Sequence, residues 1–306
     1  MNDTTKRQRK GRGKNAGKQA GGRLPVAKTY KIYVGGKFPR TESGRYYPLQ
    51  PDGETVIANV CRSSRKDFRE AVVAARGAVA GWSGASAYNR GQVLYRIAEM
   101  LEGRREQFVA ELALQGVNRR RAEGEVDAAV DRLIHYAGWS DKYQQIFSAV
   151  NPVASSHFNF SALEPTGVVA IIAPEESGLL GLVSNVAPAI VGGNTCVVLA
   201  SAGRPLTAIS FAEVLHSSDV PGGVVNLLTG FRDELSGQFA SHMDVNAVVF
   251  CEAEGEAAKD IQIAAADNLK RVIDRTGTDW RRPAAQGPYH IRDTQEVKTT
   301  WHPIGG

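Results

Sequence analysis

Val168-Val-Ala-Ile-Ile-Ala-Pro174 is the stretch whose reading decides the fold. Its aliphatic side chains leave neither face of a strand polar, the pattern of a parallel strand covered by helices on both sides. Toward the C-terminus, short apolar runs recur at Cys196 to Leu199, Val224 to Leu228, Val245 to Phe250 and Leu269 to Ile273. Segments of helical periodicity separate them, near Leu179 to Ile190, Leu206 to His216, Glu234 to Ser241 and Glu256 to Asn268. This alternation predicts an α/β fold built on a doubly wound parallel sheet. Such a sheet binds ligands beyond the carboxyl ends of its strands. Here those ends read Pro174-Glu-Glu-Ser177, Ala200-Ser-Ala-Gly203, Thr229-Gly-Phe231 and Cys251-Glu-Ala-Glu254, without a GxGxxG fingerprint or a P-loop.

Toward the N-terminus, His157-Phe-Asn-Phe-Ser161 alternates like an exposed strand and leads into the turn signal Glu164-Pro-Thr-Gly167. A helix is expected on Val126, Val130, Leu133, Ile134 and Ala137, and a single stripe on Leu94, Ile97, Leu101, Phe108 and Leu112. Ser64 and Asp67 form a capping box ahead of Phe68, Ala71, Val72, Ala75, Val79 and Trp82. Tyr30 to Val34, Gly35-Gly36-Lys37 and Phe38 read as a short hairpin. Residues 1–28 hold nine Lys or Arg against Asp3, a net +8 in a chain of +5, so the rest sums to −3. Rich in glycine and poor in large apolar side chains, this tail is expected to be disordered.

The 306 residues, 42% hydrophobic and 23% charged, describe a globular protein. Val168 to Pro174 is far short of the roughly 20 apolar residues of a membrane-spanning helix, and the first thirty residues lack the apolar core of a secretory signal. Cys61, Cys196 and Cys251 form no CxxC or Cys/His cluster, and His135, His157, His216, His242, His290 and His302 show no ligand spacing. Neither a disulfide framework nor a metal site is expected, and a cytoplasmic location is.

Ile32-Tyr-Val-Gly-Gly-Lys37, Ser43-Gly-Arg45, Ala71-Val-Val-Ala-Ala-Arg76, Tyr136-Ala-Gly-Trp139, Phe158-Asn-Phe160, Glu164-Pro-Thr-Gly-Val168, Ala187-Pro-Ala189, Gly193-Asn-Thr195, Pro205-Leu-Thr207, Pro221-Gly-Gly-Val-Val-Asn226 and Asn268-Leu-Lys-Arg-Val272 follow one another in this order. With them the chain resembles the NAD(P)-dependent aldehyde dehydrogenase superfamily, over roughly residues 30 to 280. The resemblance implies a basic tail at 1–28, then an aldehyde dehydrogenase-type NAD(P)-binding domain at 29–280 with an oligomerisation hairpin near 151–166. A linker and C-terminal oligomerisation strand follow at 281–306. Family members attack the aldehyde with a cysteine in a separate catalytic domain. That segment is absent here, whereas Thr294-Gln-Glu-Val-Lys-Thr-Thr-Trp301 resembles the family's terminal arm. Internal loss of the catalytic domain is the simplest account.

The departures fall where the family does its chemistry. Pro174-Glu-Glu-Ser-Gly178 stands for the family's Pro-Trp-Asn-Phe-Pro, which puts Glu176 where an Asn amide stabilises the oxyanion. A carboxylate there repels the developing charge. Ala200-Ser-Ala-Gly203 lacks the Lys and Glu that hold the adenosine ribose. Glu252, Glu254 and Glu256 stand in the turn that meets the pyrophosphate, and Arg275 replaces the general base but cannot accept a proton.

Catalytic residues are therefore expected to be none, with Glu176 and Arg275 as altered positions. A residual cofactor groove is expected at Ile172, Ala173, Pro174 and Gly230. Cofactor binding is expected to be absent, with NAD(P) as the one to test. Oligomerisation residues implied by the resemblance are Phe158, Phe160, Val297, Thr299 and Trp301, and a chain without its catalytic domain is expected to expose a wide apolar face.

Cys251 can be read as a substitute nucleophile or as a semi-buried strand-end residue whose thiol Glu252 makes less acidic. The acids 252, 254 and 256 can be read as a cation site or as dipole partners of a helix. Three functions follow. The first is a catalytically inactive accessory subunit that forms a hetero-oligomer with a full-length aldehyde dehydrogenase, or a homo-oligomer. The second is an NAD(P)-dependent aldehyde oxidoreductase completed by a partner, and the third a non-specific polyanion binder acting through residues 1–28. The tail has no aromatic platform for base stacking.

Overall fold

The computed structural model describes residues 27–252 and 255–305, so the expected disordered tail lies outside the described residues except for Ala27 and Lys28. Strands β1 (Thr29–Tyr30), β2 (Tyr46–Leu49) and β3 (Ala58–Cys61) form a small sheet in the order β1-β3-β2. Gly35 and Gly36 turn the chain at φ 60° and 77°, the left-handed values that a two-residue hairpin turn demands. Only Val34 and Lys37 pair across it. The expected hairpin stops there because β1 pairs with β3 and Tyr33 exchanges both backbone hydrogen bonds with Leu227, at 2.9 and 2.7 Å.

Helix α1 (Arg65–Ser83) starts on the capping box, with the Ser64 amide donating to Asp67 at 2.7 Å, and buries the expected stripe from Phe68 to Trp82 apart from the partly buried Val79. The stripe expected on Leu94 to Leu112 belongs to two helices, α2 (Ala87–Glu102) and α3 (Arg105–Leu114), broken at Gly103-Arg104. Both turn their apolar side chains into one core, so the stripe survives the break. In α4 (Arg119–Ala137) Val126, Val130 and Leu133 are buried, whereas Ile134 is exposed because it lies one residue, about 100°, around the helix from Leu133. After α5 (Tyr143–Phe147) and β4 (Ala149–Asn151), strand β5 (His157–Pro165) runs through the expected turn at Glu164-Pro165, and the chain turns at Thr166-Gly167 instead.

The parallel units follow as β6 (Val168–Ile172), α6 (Leu180–Val191), β7 (Thr195–Leu199), α7 (Leu206–His216), β8 (Val225–Leu228), α8 (Arg232–Ser241), β9 (Ala247–Phe250), α9 (Glu256–Ala266) and β10 (Arg271–Asp274). The last strand begins two residues later than expected, because Leu269 is 93% exposed at φ 54° in the preceding turn. The five strands are parallel in the order β10-β9-β6-β7-β8. Successive side chains point to opposite faces. Val169, Ile171, Cys196, Val198 and Val249 join the core shared with α2, α3, α4, α6 and α7, and Val168, Ala170, Ile172, Val197 and Val248 join the core beneath α1, α8 and α9.

After β10 come a 3-10 turn at Pro283–Ala285, α10 (Tyr289–Arg292) and β11 (Gln295–Pro303). Strand β11 pairs antiparallel with β5 from Gln295↔Pro165 to Pro303↔His157, giving a sheet in the order β11-β5-β4. The segment before it packs into the core beside α6. Helix α6 is buried along its whole length, and Trp280, Ala285 and Ile291 are buried in the same core. Arg132 of α4 clamps this segment. The residue is 3% exposed, and its guanidinium donates to the Trp280 and Ala285 carbonyls at 2.9 Å, to Gln286 Oε1 at 2.9 Å and to Ser184 Oγ.

Nearby, Tyr136 Oη lies 3.3 Å from His290 Nδ1, and Arg275 pairs with Asp293 at 2.9 Å. Burial, reinforced by Arg275 and Arg132, pushes the His290 imidazole down to about 3. Below its ordinary value near 6.5 the unfolded chain takes up this proton and the folded chain does not, so this contribution to stability is present at pH 7 and lost as pH falls. His290→Asn is expected to remove about 1 kcal/mol of the pH 7 to pH 5 stability loss, allowing for solvent screening. Urea unfolding of both proteins at the two pH values checks this, and equal losses would refute it.

Candidate functional site

The chain leaves β6 for β7 and β8 on one side and returns to β9 and β10 on the other, which puts the topological switch point between β6 and β9. Four loops meet there, beginning at Pro174, Ala200, Thr229 and Cys251. At the start of α6 the amides of Leu179 and Leu180 donate to Glu125 Oε1 at 3.0 and 3.3 Å, so a buried carboxylate of α4 holds the helix end where an external anion would otherwise be favoured.

A second carboxylate fills the neighbouring loop. Glu175 Oε2 accepts from Ser201 Oγ at 2.7 Å and from the amides of Ala202 and Gly203 at 2.9 and 3.3 Å, while its Oε1 lies 3.1 Å from Arg232 Nε. Arg232 continues to Glu252, 3.2 Å from Oε2 and 3.1 Å from the carbonyl, and also donates to the Ala173 carbonyl. Glu252 Oε1 closes the ring by accepting from the Glu175 amide at 2.9 Å. One guanidinium and two carboxylates thus tie together the four loops. Sequence reasoning missed Arg232 and Glu125. Arg232 carried a signal, because a cation in the first turn of a helix opposes the helix dipole and calls for an anionic partner.

Glu176 and Arg275, the positions expected to be altered, do not converge. Glu176 is exposed and lines a cleft of about 560 Å³ with Ser177, Cys251, Thr278, Trp280 and Arg281, and its carbonyl accepts from Arg204. Arg275 pairs with Asp293 and does not line that cleft. Burial pushes the Cys251 thiol up to about 12, and its sulfur accepts from Asn185 Nδ2 at 3.4 Å. It is protonated at neutral pH, which favours the strand-end reading over the nucleophile.

The residual groove residues meet different neighbours. Pro174 lines the same cleft, and Ile172 lines a separate cavity of about 320 Å³ with Asp233, Gly237, Ala257 and Ile261. Ala173 gives its carbonyl to Arg232, and Gly230 is buried at φ 156° with Leu235 and Ser63 3.4 Å from where a Cβ would stand. Of the three acids, Glu252 belongs to the ring, Glu256 is exposed 3.3 Å from Lys259, and Glu254 lies outside the described residues. Among the described residues no group of three or more His, Cys, Asp or Glu is placed to hold a metal ion.

The oligomerisation candidates separate into two faces. In the β5–β11 register Val297, Thr299 and Trp301 stand opposite Leu163, Ser161 and Asn159, whereas Phe158 and Phe160 stand opposite His302 and Thr300. Directly paired residues share a face and successive ones alternate. The aromatic pair, with rings 5.6 Å apart, therefore lines a hollow of about 390 Å³ with Val150 and Ala162 on one face, and the β11 residues point to the other.

A family model described as the aldehyde dehydrogenase family matches residues 38–279. The chain belongs to the aldehyde dehydrogenase family. It is 32% identical over 257 residues to the cytosolic aldehyde dehydrogenase 1 of Elephantulus edwardii, covering 81% of this chain and 50% of that protein. To an aldehyde dehydrogenase of Aspergillus niger it is 31% identical, covering 80% of this chain and 50% of the other. Among solved structures it is similar to the NAD+ complex of a Bacillus cereus aldehyde dehydrogenase, with a TM-score of 0.77, 28% identity and coverage of 81% and 51%. A second is an aldehyde dehydrogenase of Pseudomonas syringae in complex with NAD+ and octanal, with a TM-score of 0.73, 32% identity and coverage of 81% and 50%. This aldehyde dehydrogenase-family chain spans about half the length of the curated relatives it matches. No helix among its described residues is long and apolar enough to cross a membrane.

Proposed function

We propose that this chain is a non-catalytic member of the family that serves as an accessory subunit of a full-length aldehyde dehydrogenase, associating through the sheet of β4, β5 and β11. The observation that carries this reading is the Glu175–Arg232–Glu252 ring. The NAD(P) implied by the family does not fit these residues. The Ala202 and Gly203 amides and the Ser201 hydroxyl are engaged by Glu175, and a phosphate entering the crevice would meet Glu175 and Glu252. Exchanging an internal carboxylate already hydrogen-bonded at 2.7 to 3.3 Å for an external anion gains little. The Arg275 guanidinium, paired with Asp293, is no general base for water. The exposed apolar side chains of Val150 and Phe158 on one face of the sheet, and of Val297 and Trp301 on the other, are surface that association would bury.

Two measurements test the two halves of the proposal. Calorimetric titration with NAD+ and NADP+ is expected to give no heat up to millimolar concentration, and a saturable heat would refute the loss of cofactor binding. Co-purification from the native cell is expected to bring down a full-length aldehyde dehydrogenase, and Phe158→Asp is expected to release it. A clean monomer or a homo-oligomer without such a partner would refute the accessory role.

A further inference from the structure

We propose that the basic segment 1–26 docks within its own chain onto the groove between α2 and α4. The groove, about 760 Å³, is lined among others by Tyr88 and Tyr95 of α2, Ile134 of α4, and the acids Glu99, Asp141 and Asp219. Its floor is tight, since a Cβ on Gly91 would stand 2.4 Å from Ser140 Oγ, so α2 and the turn after α4 are held in close register. Tyr88 and Tyr95 are 69% and 52% exposed. Glu99 pairs with Arg96 at 3.2 Å, but Asp141 and Asp219 are exposed and no described cation pairs with either. Exposed aromatic faces beside uncompensated carboxylates suit lysine and arginine side chains, through cation–π contact and charge together.

The occupant follows from charge and from where the chain enters the described structure. Residues 1–26 hold eight Lys or Arg against Asp3, a net +7, whereas the residues from 29 onward sum to −3. Lys28 is fixed at α7, its ammonium 3.6 Å from Glu213 and its carbonyl accepting from the Asn59 amide at 2.9 Å. From Glu213 to Asp219 the chain runs three helical residues and three more, so the groove begins within about 15 Å of that anchor. Ten residues separate Lys18 from Lys28, an extended reach of about 33 Å. Lys10, Lys14 and Lys18 can therefore meet the groove without leaving their own molecule.

Zero-length carbodiimide cross-linking of the full chain at low micromolar concentration and low salt, read by mass spectrometry on an equal mixture of ¹⁴N- and ¹⁵N-labelled protein, tests this. Cross-links from Lys10, Lys14 or Lys18 to Asp141, Asp219 or Glu99 are expected within single isotopic copies, with at least a fivefold loss in 0.5 M NaCl. The variant Tyr88→Ser/Tyr95→Ser keeps every acid and alters only exposed side chains. It is expected to reduce the same cross-links severalfold with an unchanged unfolding midpoint. Mixed-isotope cross-links would refute docking within the chain. Cross-links spread equally to Glu256 and Asp267 of the opposite face, or undiminished in the tyrosine variant, would refute the groove.

Discussion

Arg132→Ala is expected to cost about 4 kcal/mol of folding stability, in the range found when a buried charged hydrogen-bonding group is removed and its partners are left unpaired. The side chain is buried among α4, α6 and the segment 280–286, and its partners are two main-chain carbonyls, an amide oxygen and a hydroxyl rather than a carboxylate. Its planar fork reaches all of them together, which an ammonium cannot reproduce, so Arg132→Lys is expected to recover only part of the loss. The clamp also predicts where the damage appears. Amide exchange is expected to rise first across residues 280–292, the segment that seals α6, and later in the central sheet. Urea unfolding combined with site-resolved exchange checks both points, and a loss below about 1 kcal/mol would refute the clamp.

Arg232→Met is expected to cost about 2 kcal/mol, less because the ring is only partly buried. The guanidinium separates Glu175 from Glu252, whose carboxylates otherwise bear on the same few ångströms of groove. Much of the cost should therefore be repulsion left behind rather than attraction lost. The Arg232→Met/Glu252→Gln double variant is accordingly expected to recover at least half of it. A double-mutant cycle in urea measures this coupling, and strict additivity would show that the three side chains are not one unit.

Much of the architecture was legible in the sequence because local patterns and global fold agreed. The short apolar runs at Val168, Cys196, Val224 and Val245 read as buried strands and form them, and the capping box at Ser64 and Asp67 marked the start of α1. The errors fell where a tertiary partner overrode a local signal. Tyr33 pairs with Leu227 rather than across its own turn, Glu164-Pro165 stays extended because β11 pairs with it, and Ile134 faces a groove that only the packing of α2 against α4 creates.

The site divides in the same way. From the sequence came the expectation, carried by the resemblance, that the family's chemical side chains are altered at Glu176, Arg275 and the loop at 200–203. Sequence alone determined that the net positive charge comes from residues 1–28, the rest summing to −3. Only the tertiary structure decided what the new residues do. Glu175, Arg232 and Glu252 lie far apart in the chain and become one ring because parallel strands deliver their carboxyl ends to a single edge of the sheet. Arg132 and Trp280 meet for a comparable reason, α4 and the chain after β10 both crossing α6. Hydrogen bonds between residues so distant in sequence leave no periodicity behind, so the groove's internal filling and the sealed face of α6 could be read only from the folded chain.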